Sequence, residues 1–226
     1  MICNCGAASS TTTPHHSLQA GGKPNQRKMV RRTVYVAFRA SKDARRELGG
    51  GGAVREASRE YFSIVSTYVA PTFMVWFRRT TTNDRTRGRA PDIHVHWLTN
   101  DAITQKLGLT FDGLSAATLS GHPRYVFINT RNWMQPPSHW RNVSDYRRYV
   151  AVHEMTHAGG VGHVTRSSPC TTDTLDVMEP QTKPVCGRLS SKYTLKSLAL
   201  ISRQKKLGGF LRDLPSKKMP NTQMHY

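Results

Sequence analysis

The chain has 226 residues and 37% hydrophobic content, long enough for one domain with a buried core but polar enough that tails and loops must carry much of the excess. Its 33 Lys and Arg against 14 Asp and Glu give a formal charge of +19, a surface that attracts polyanions. No apolar run reaches membrane-spanning length, and no zinc finger, ribonucleoprotein motif or basic zipper is present; any nucleic-acid or other polyanion contact is expected to run through phosphates, without sequence preference.

Residues 1–30 are polar, punctuated by Gly and Pro and increasingly basic, the composition of a disordered tail, and they lack the apolar segment of a secretory signal. A first strand is expected over residues 33–40 (TVYVAFRA), where β-branched and aromatic residues alternate. The glycines at 49–52 read as a turn. From residue 53 to about 68, Val54, Ala57, Tyr61, Ile64, Val65 and Tyr68 recur at helical spacing, which predicts a long helix with one buried stripe, stopped by Pro71. Strands follow at 72–79 (TFMVWFRR), 92–98 (DIHVHWL), 114–119 and 125–129 (YVFIN). His94 and His96 share one face of the third strand; without a third ligand nearby they read as solvated or hydrogen-bonded histidines. Ser144 is expected to cap the next helix, with Asp145 in its first turn, and Tyr146, Val150, His153 and His157 then follow one face. A last helix is expected over 193–206, carrying Leu195, Leu198, Ala199 and Ile201, before a flexible basic tail at 211–226.

The chemistry is concentrated in residues 153–163 (HEMTHAGGVGH). His153 and His157 are four apart, so on a helix they lie one turn above the other and can bind one metal ion together. Gly160 can take the left-handed conformation that ends the helix and turns His163 back as a third ligand. Glu154 is too close to His153 to be a comfortable ligand, but it can reach water at the open coordination position and take its proton. The full string H-E-x-x-H-x-x-G-x-x-H arises by chance in a chain of this length on the order of once in 10⁵. It points to Zn²⁺ held by His153, His157 and His163, with Glu154 as general base.

The extended motif, followed by Met178 in the stretch 176–180 (DVMEP), resembles the metzincin clan of zinc metalloproteases. The resemblance implies an α+β fold with a mixed, twisted five-stranded sheet, two long helices and a zinc cleft. It divides a catalytic domain at 31–210 into an N-terminal subdomain (31–163) and a small C-terminal one (164–210) with the methionine turn and a helix. It places Met178 under the metal as an apolar floor. It also implies that backbone around residues 115–120 holds a polypeptide substrate as an added strand. Some members carry a tyrosine two residues past the methionine; Pro180 stands there, and whether Tyr193 substitutes is open. More narrowly, residues 124–133 (RYVFINTRNW), 146–163 and a cysteine on each side of the methionine turn look like a family of secreted actinobacterial metallopeptidases with no established function.

Cys170 and Cys186 bracket Met178 as either a disulfide or two buried thiols. The Pro, Thr and Ser rich stretch between them has little apolar content to order it, which favours the disulfide, worth about 3 kcal/mol in the chain-entropy model. A disulfide argues for an extracellular or particle-packaged protein, against the missing signal peptide. Cys3 and Cys5 read as exposed thiols or a further bridge. The expected activity is zinc-dependent endopeptidase; the rival is a catalytically silent, basic nucleic-acid-associated or packaging protein that keeps the zinc fold as scaffold. The chain carries no signature of an oligomeric state.

Overall fold

Alternation in the strand sequences builds a mixed sheet with one greasy face. In the computed structural model, residues 31–81, 84, 86, 88–164, 174–183, 185–206, 209–211 and 224–225 are described, within a unit that begins at Arg31. The strands are β1 (Arg32–Ala40), β2 (Val75–Arg79), β3 (Ile93–Leu98), β4 (Ala116–Thr118), β5 (Arg124–Asn129) and β6 (Met224–His225). Their order is β2-β1-β3-β5-β4-β6; the first four run parallel and β4 is antiparallel to both its neighbours. Val34, Val36, Ile93, Val95, Trp97, Val126 and Ile128 point to one face and are fully buried. The helices are α1 (Lys42–Glu47), α2 (Gly51–Phe73), α3 (Asn100–Leu107), α4 (Thr130–Met134), α5 (Val143–Ala158) and α6 (Leu195–Lys206). The long helices α2 and α5 pack with that buried face into one core, where Tyr61 of α2 meets Trp97 of β3 edge to face and Trp97 Nε1 donates to Ser58 Oγ at 2.9 Å.

The α+β class and the mixed sheet agree with expectation; several boundaries do not. Pro71 does not stop α2, which runs on to Phe73 and ends where Met74 takes the left-handed conformation. A proline inside a helix costs about 3 kcal/mol, and here it is outweighed because Val69, Ala70 and Phe73 are all buried around it. The second strand therefore starts at Val75 instead of 72, and the glycine turn is shorter than expected because α2 already begins at Gly51. Asn142, not Ser144, caps α5, its side chain accepting from the amides of Ser144 and Asp145 at 2.8 and 3.2 Å. The edge of β4 expected to stay open for substrate is paired instead with β6, Ala117 opposite His225 and Thr118 opposite Met224. That pairing also places two residues of the expected flexible tail in a sixth strand. The expectations for residues 1–30, Cys3, Cys5, Cys170 and most of the basic tail lie outside the described residues.

Candidate metal centre

Helix α5 is buried on all sides from Tyr149 to Ala158, although His153, Glu154, Thr156 and His157 lie in that run. Four polar side chains under a core persist only where they are partnered or hold an ion. Two of the histidines are fixed from behind. His153 Nδ1 lies 2.6 Å from the Val177 carbonyl and His157 Nδ1 lies 2.6 Å from the Val161 carbonyl. A carbonyl has no proton to give, so both Nδ1 atoms carry the hydrogen and both Nε2 atoms present lone pairs.

Those lone pairs converge. The Nε2 atoms of His153, His157 and His163 are separated by 3.0, 3.1 and 3.2 Å. With the Nδ1 positions of two rings already protonated, such a cluster of acceptors repels itself unless a cation sits among them, so the group can hold a metal ion. His163 reaches the other two because Gly160 has a φ of +86°, the left-handed turn anticipated from the motif. Gly159 is required for a different reason: a Cβ there would stand 2.5 Å from the Phe73 ring and 3.0 Å from the Thr156 carbonyl.

Glu154 is 3% exposed, and its Oε2 is buried without a hydrogen-bond partner. Burial alone pushes its carboxyl well above the usual carboxylate range, an effect that a cation held by the neighbouring imidazoles opposes. Met178 is fully buried. Its turn is tight: the Met178 amide donates to Asp176 Oδ1 at 2.7 Å, the Glu179 amide to the Asp176 carbonyl at 3.0 Å, and the Val164 amide to the Met178 carbonyl at 3.1 Å. The last bond ties the turn to the residue after His163. Cys186 is disulfide-bonded, while Cys170 lies outside the described residues.

Three supporting residues carry no signal in the sequence. Gln181 is fully buried and clamps the turn to the segment after it, donating from Nε2 to the Asp176 and Ser190 carbonyls and accepting from the Ser190 amide. Tyr149 packs its ring 5.2 Å from that of His153 and accepts from the Gln181 amide at 2.7 Å. Arg124, 2% exposed, donates to the Ala158 carbonyl at the end of α5 and to the Gly209 carbonyl, the latter at 2.9 Å. A cation there suits the negative end of the helix, and burial lowers its pKa to about 10. Tyr193, the candidate helper to the reaction, has its hydroxyl 2.6 Å from Thr156 Oγ1 and is thereby engaged with the ligand helix. His94 and His96 lie on the sheet face away from this centre and join no metal-binding group among the described residues.

No family model and no curated protein matches the chain.

Proposed function

We propose that the chain is a zinc-dependent endopeptidase whose centre is organised like that of the metzincin clan. The observation that carries this reading is the convergence of three imidazole Nε2 atoms at 3.0 to 3.2 Å beside a buried glutamate. Zinc–nitrogen bonds of about 2.0–2.1 Å at tetrahedral angles separate their donors by about 3.3 Å, close to that spacing. Bound zinc would supply Lewis acidity, lowering the pKa of water toward about 7 and polarising a carbonyl.

The remaining work falls to the chain's own side chains. Glu154 takes the proton of the attacking water and returns it to the leaving amine, a task served by an Oε2 that no protein donor occupies. The Val177 and Val161 carbonyls hold the histidines in the tautomer that presents Nε2. Met178 forms the apolar floor beneath them. An extended polypeptide adds to the β4 edge by main-chain hydrogen bonds and displaces β6 in doing so. A bridge from Cys186 to Cys170, which lies outside the described residues, would staple the loop that carries Met178 and suit an oxidising compartment.

The rival, a silent basic scaffold, gives no reason to keep a buried carboxylate oxygen without a partner, since that arrangement costs stability and structural zinc needs only the histidines. The test compares metal content and peptide-library cleavage for the native protein and Glu154→Ala. One zinc in each, with turnover falling at least about 10²-fold in the variant, supports the proposal. Zinc in each and cleavage by neither overturns it in favour of the scaffold.

A further inference from the structure

The face of the sheet turned away from the core is neither apolar nor acidic. Register places its side chains in rows: Trp76 opposite Thr33, Arg78 opposite Tyr35, then Ala37, His94 and Tyr125 side by side, then Arg39, His96 and Phe127. At about 3.3 Å per residue, these rows span about 20 Å along β1. Helix α3 and the 3-10 turn at Leu109–Phe111 cover the Phe127 end, where Ile103, Phe111, Ala116 and Phe127 form a separate small cluster. Among the described residues nothing covers the β1–β2 end, and Trp76 is 57% exposed there.

Around these rings the charge is positive and held in place. Arg31 lies 4.9 Å over the Trp76 ring, and Arg89 and Arg78 lie 4.8 and 5.8 Å over Tyr35, whose hydroxyl also accepts from Arg89. Tyr35 is therefore a post that positions two guanidinium groups. Arg39, exposed, and Arg89 flank a recess of about 410 Å³ beside His94. Of the two nearby carboxylates, Asp92 accepts the Tyr35 amide at 2.7 Å, and Asp84, 6% exposed, accepts the Thr81 amide and hydroxyl at 2.9 and 2.6 Å and pairs with Arg78 at 3.6 Å, whose side chain stays 57% exposed. The face thus sets cations beside rings at the spacing of strands, about 4.8 Å, with Tyr125 stacked between His94 and Phe127 and Trp76 the exposed ring among them.

We propose that this sheet face binds single-stranded nucleic acid, stacking a base on Trp76 while Arg31, Arg39, Arg78 and Arg89 take the phosphates. Unpaired bases expose the flat faces that such rings accept, whereas duplex keeps its bases stacked inside; a duplex or a sulfated polysaccharide satisfies the cations and leaves Trp76 unused. Recognition through ring faces and phosphates reads no particular sequence, and it accounts for part of the +19 charge by a located surface. Such binding is independent of the reaction proposed at the histidines, which lie beyond the other face of the sheet.

The test is fluorescence anisotropy of the full chain with a labelled 12-nucleotide oligouridylate and with a duplex of equal length. The single strand should bind at least about tenfold tighter, with log affinity falling against log salt at a slope of about −3 for four phosphates. Trp76→Ala should weaken it about tenfold, as loss of one stacking platform does. Arg39→Ala with Arg89→Ala should flatten the slope by about one to two, while Lys196→Ala with Arg203→Ala, equal in charge but placed on α6, should change affinity less than twofold. Quenching of indole fluorescence on binding, reduced in Trp76→Phe, gives a readout that does not depend on the fold surviving an alanine. Equal affinity for duplex and single strand, an unaltered Kd in Trp76→Ala, or binding of acidic peptide or anionic vesicles without the oligonucleotide would overturn the proposal.

Discussion

The Val177 carbonyl accepts the Nδ1–H of His153 at 2.6 Å, joining residues 24 apart in sequence. The turn that carries Met178 therefore orients the first of the three converging imidazoles, and the folding of the segment after the motif is coupled to the tautomer of a histidine within it. Disturbing that turn should loosen metal affinity without removing any ligand.

Tyr193 offers a direct contrast between support and chemistry. Its hydroxyl is hydrogen-bonded to Thr156 Oγ1, and burial raises its pKa far above the usual tyrosine value. Tyr193→Phe should lower stability by about 1 kcal/mol, the net worth of one hydrogen bond, and leave kcat near that of the native protein. A fall of about 10²-fold in kcat with unchanged stability would instead make it a stabiliser of the transition state.

Two neighbouring glycines should respond oppositely to alanine. At Gly159 the new methyl group meets Phe73 and the α5 backbone, and overpacking of this kind costs about 1–3 kcal/mol. At Gly162 an added methyl group meets nothing within 4 Å among the described residues, so the change should stay within about 0.5 kcal/mol. Denaturant unfolding of the two variants side by side measures the difference.

The strand β6 sits on the edge where the proposed reaction places its substrate. A variant ending at Leu211 keeps the Arg124–Gly209 bond and removes the competing strand. Its KM for extended peptides should fall several-fold with kcat little changed. An unaltered KM would show that substrate enters by another edge.

His96 should make stability fall in mild acid. Burial first, then the charges of His94, Arg39 and Lys106, lower its pKa from 6.5 to about 4; Tyr125 and Phe127 of β5 complete its surroundings without adding charge at these pH values. The unfolded chain thus takes up the proton first, and stability is lost as pH falls from about 6.5 towards 4, by an amount reduced by the partial exposure of the ring. Unfolding free energy measured across that window should vary less in His96→Gln than in the native protein; equal slopes would contradict the shift.

The three converging histidines were legible in sequence because they lie within eleven residues: helical spacing and one left-handed glycine suffice to bring His153, His157 and His163 together. The long helices and most strands were legible through their periodicity. What escaped depends on distant partners. Arg124 reads as one more basic residue until α5 and Gly209 close over it, and Gln181 as a polar loop residue until Asp176 and Ser190 arrive on both sides. The short helices α1, α3 and α4 hold 6, 8 and 5 residues, too few to show a period, and their caps Ser41, Thr99 and Asn129 are recognised only in the structure. Pro71 misled because local propensity was outweighed by burial of its neighbours.

The three converging imidazoles are the centre on which the proposed chemistry depends, and X-ray absorption at the zinc edge on purified protein addresses them most directly. The expected result is about one zinc per chain with three imidazole nitrogens at about 2.0–2.1 Å, one oxygen ligand and no sulfur, and loss of one imidazole or of the metal in His163→Ala. A coordination shell containing sulfur at about 2.3 Å, or protein that takes up no zinc when it is offered, would contradict it.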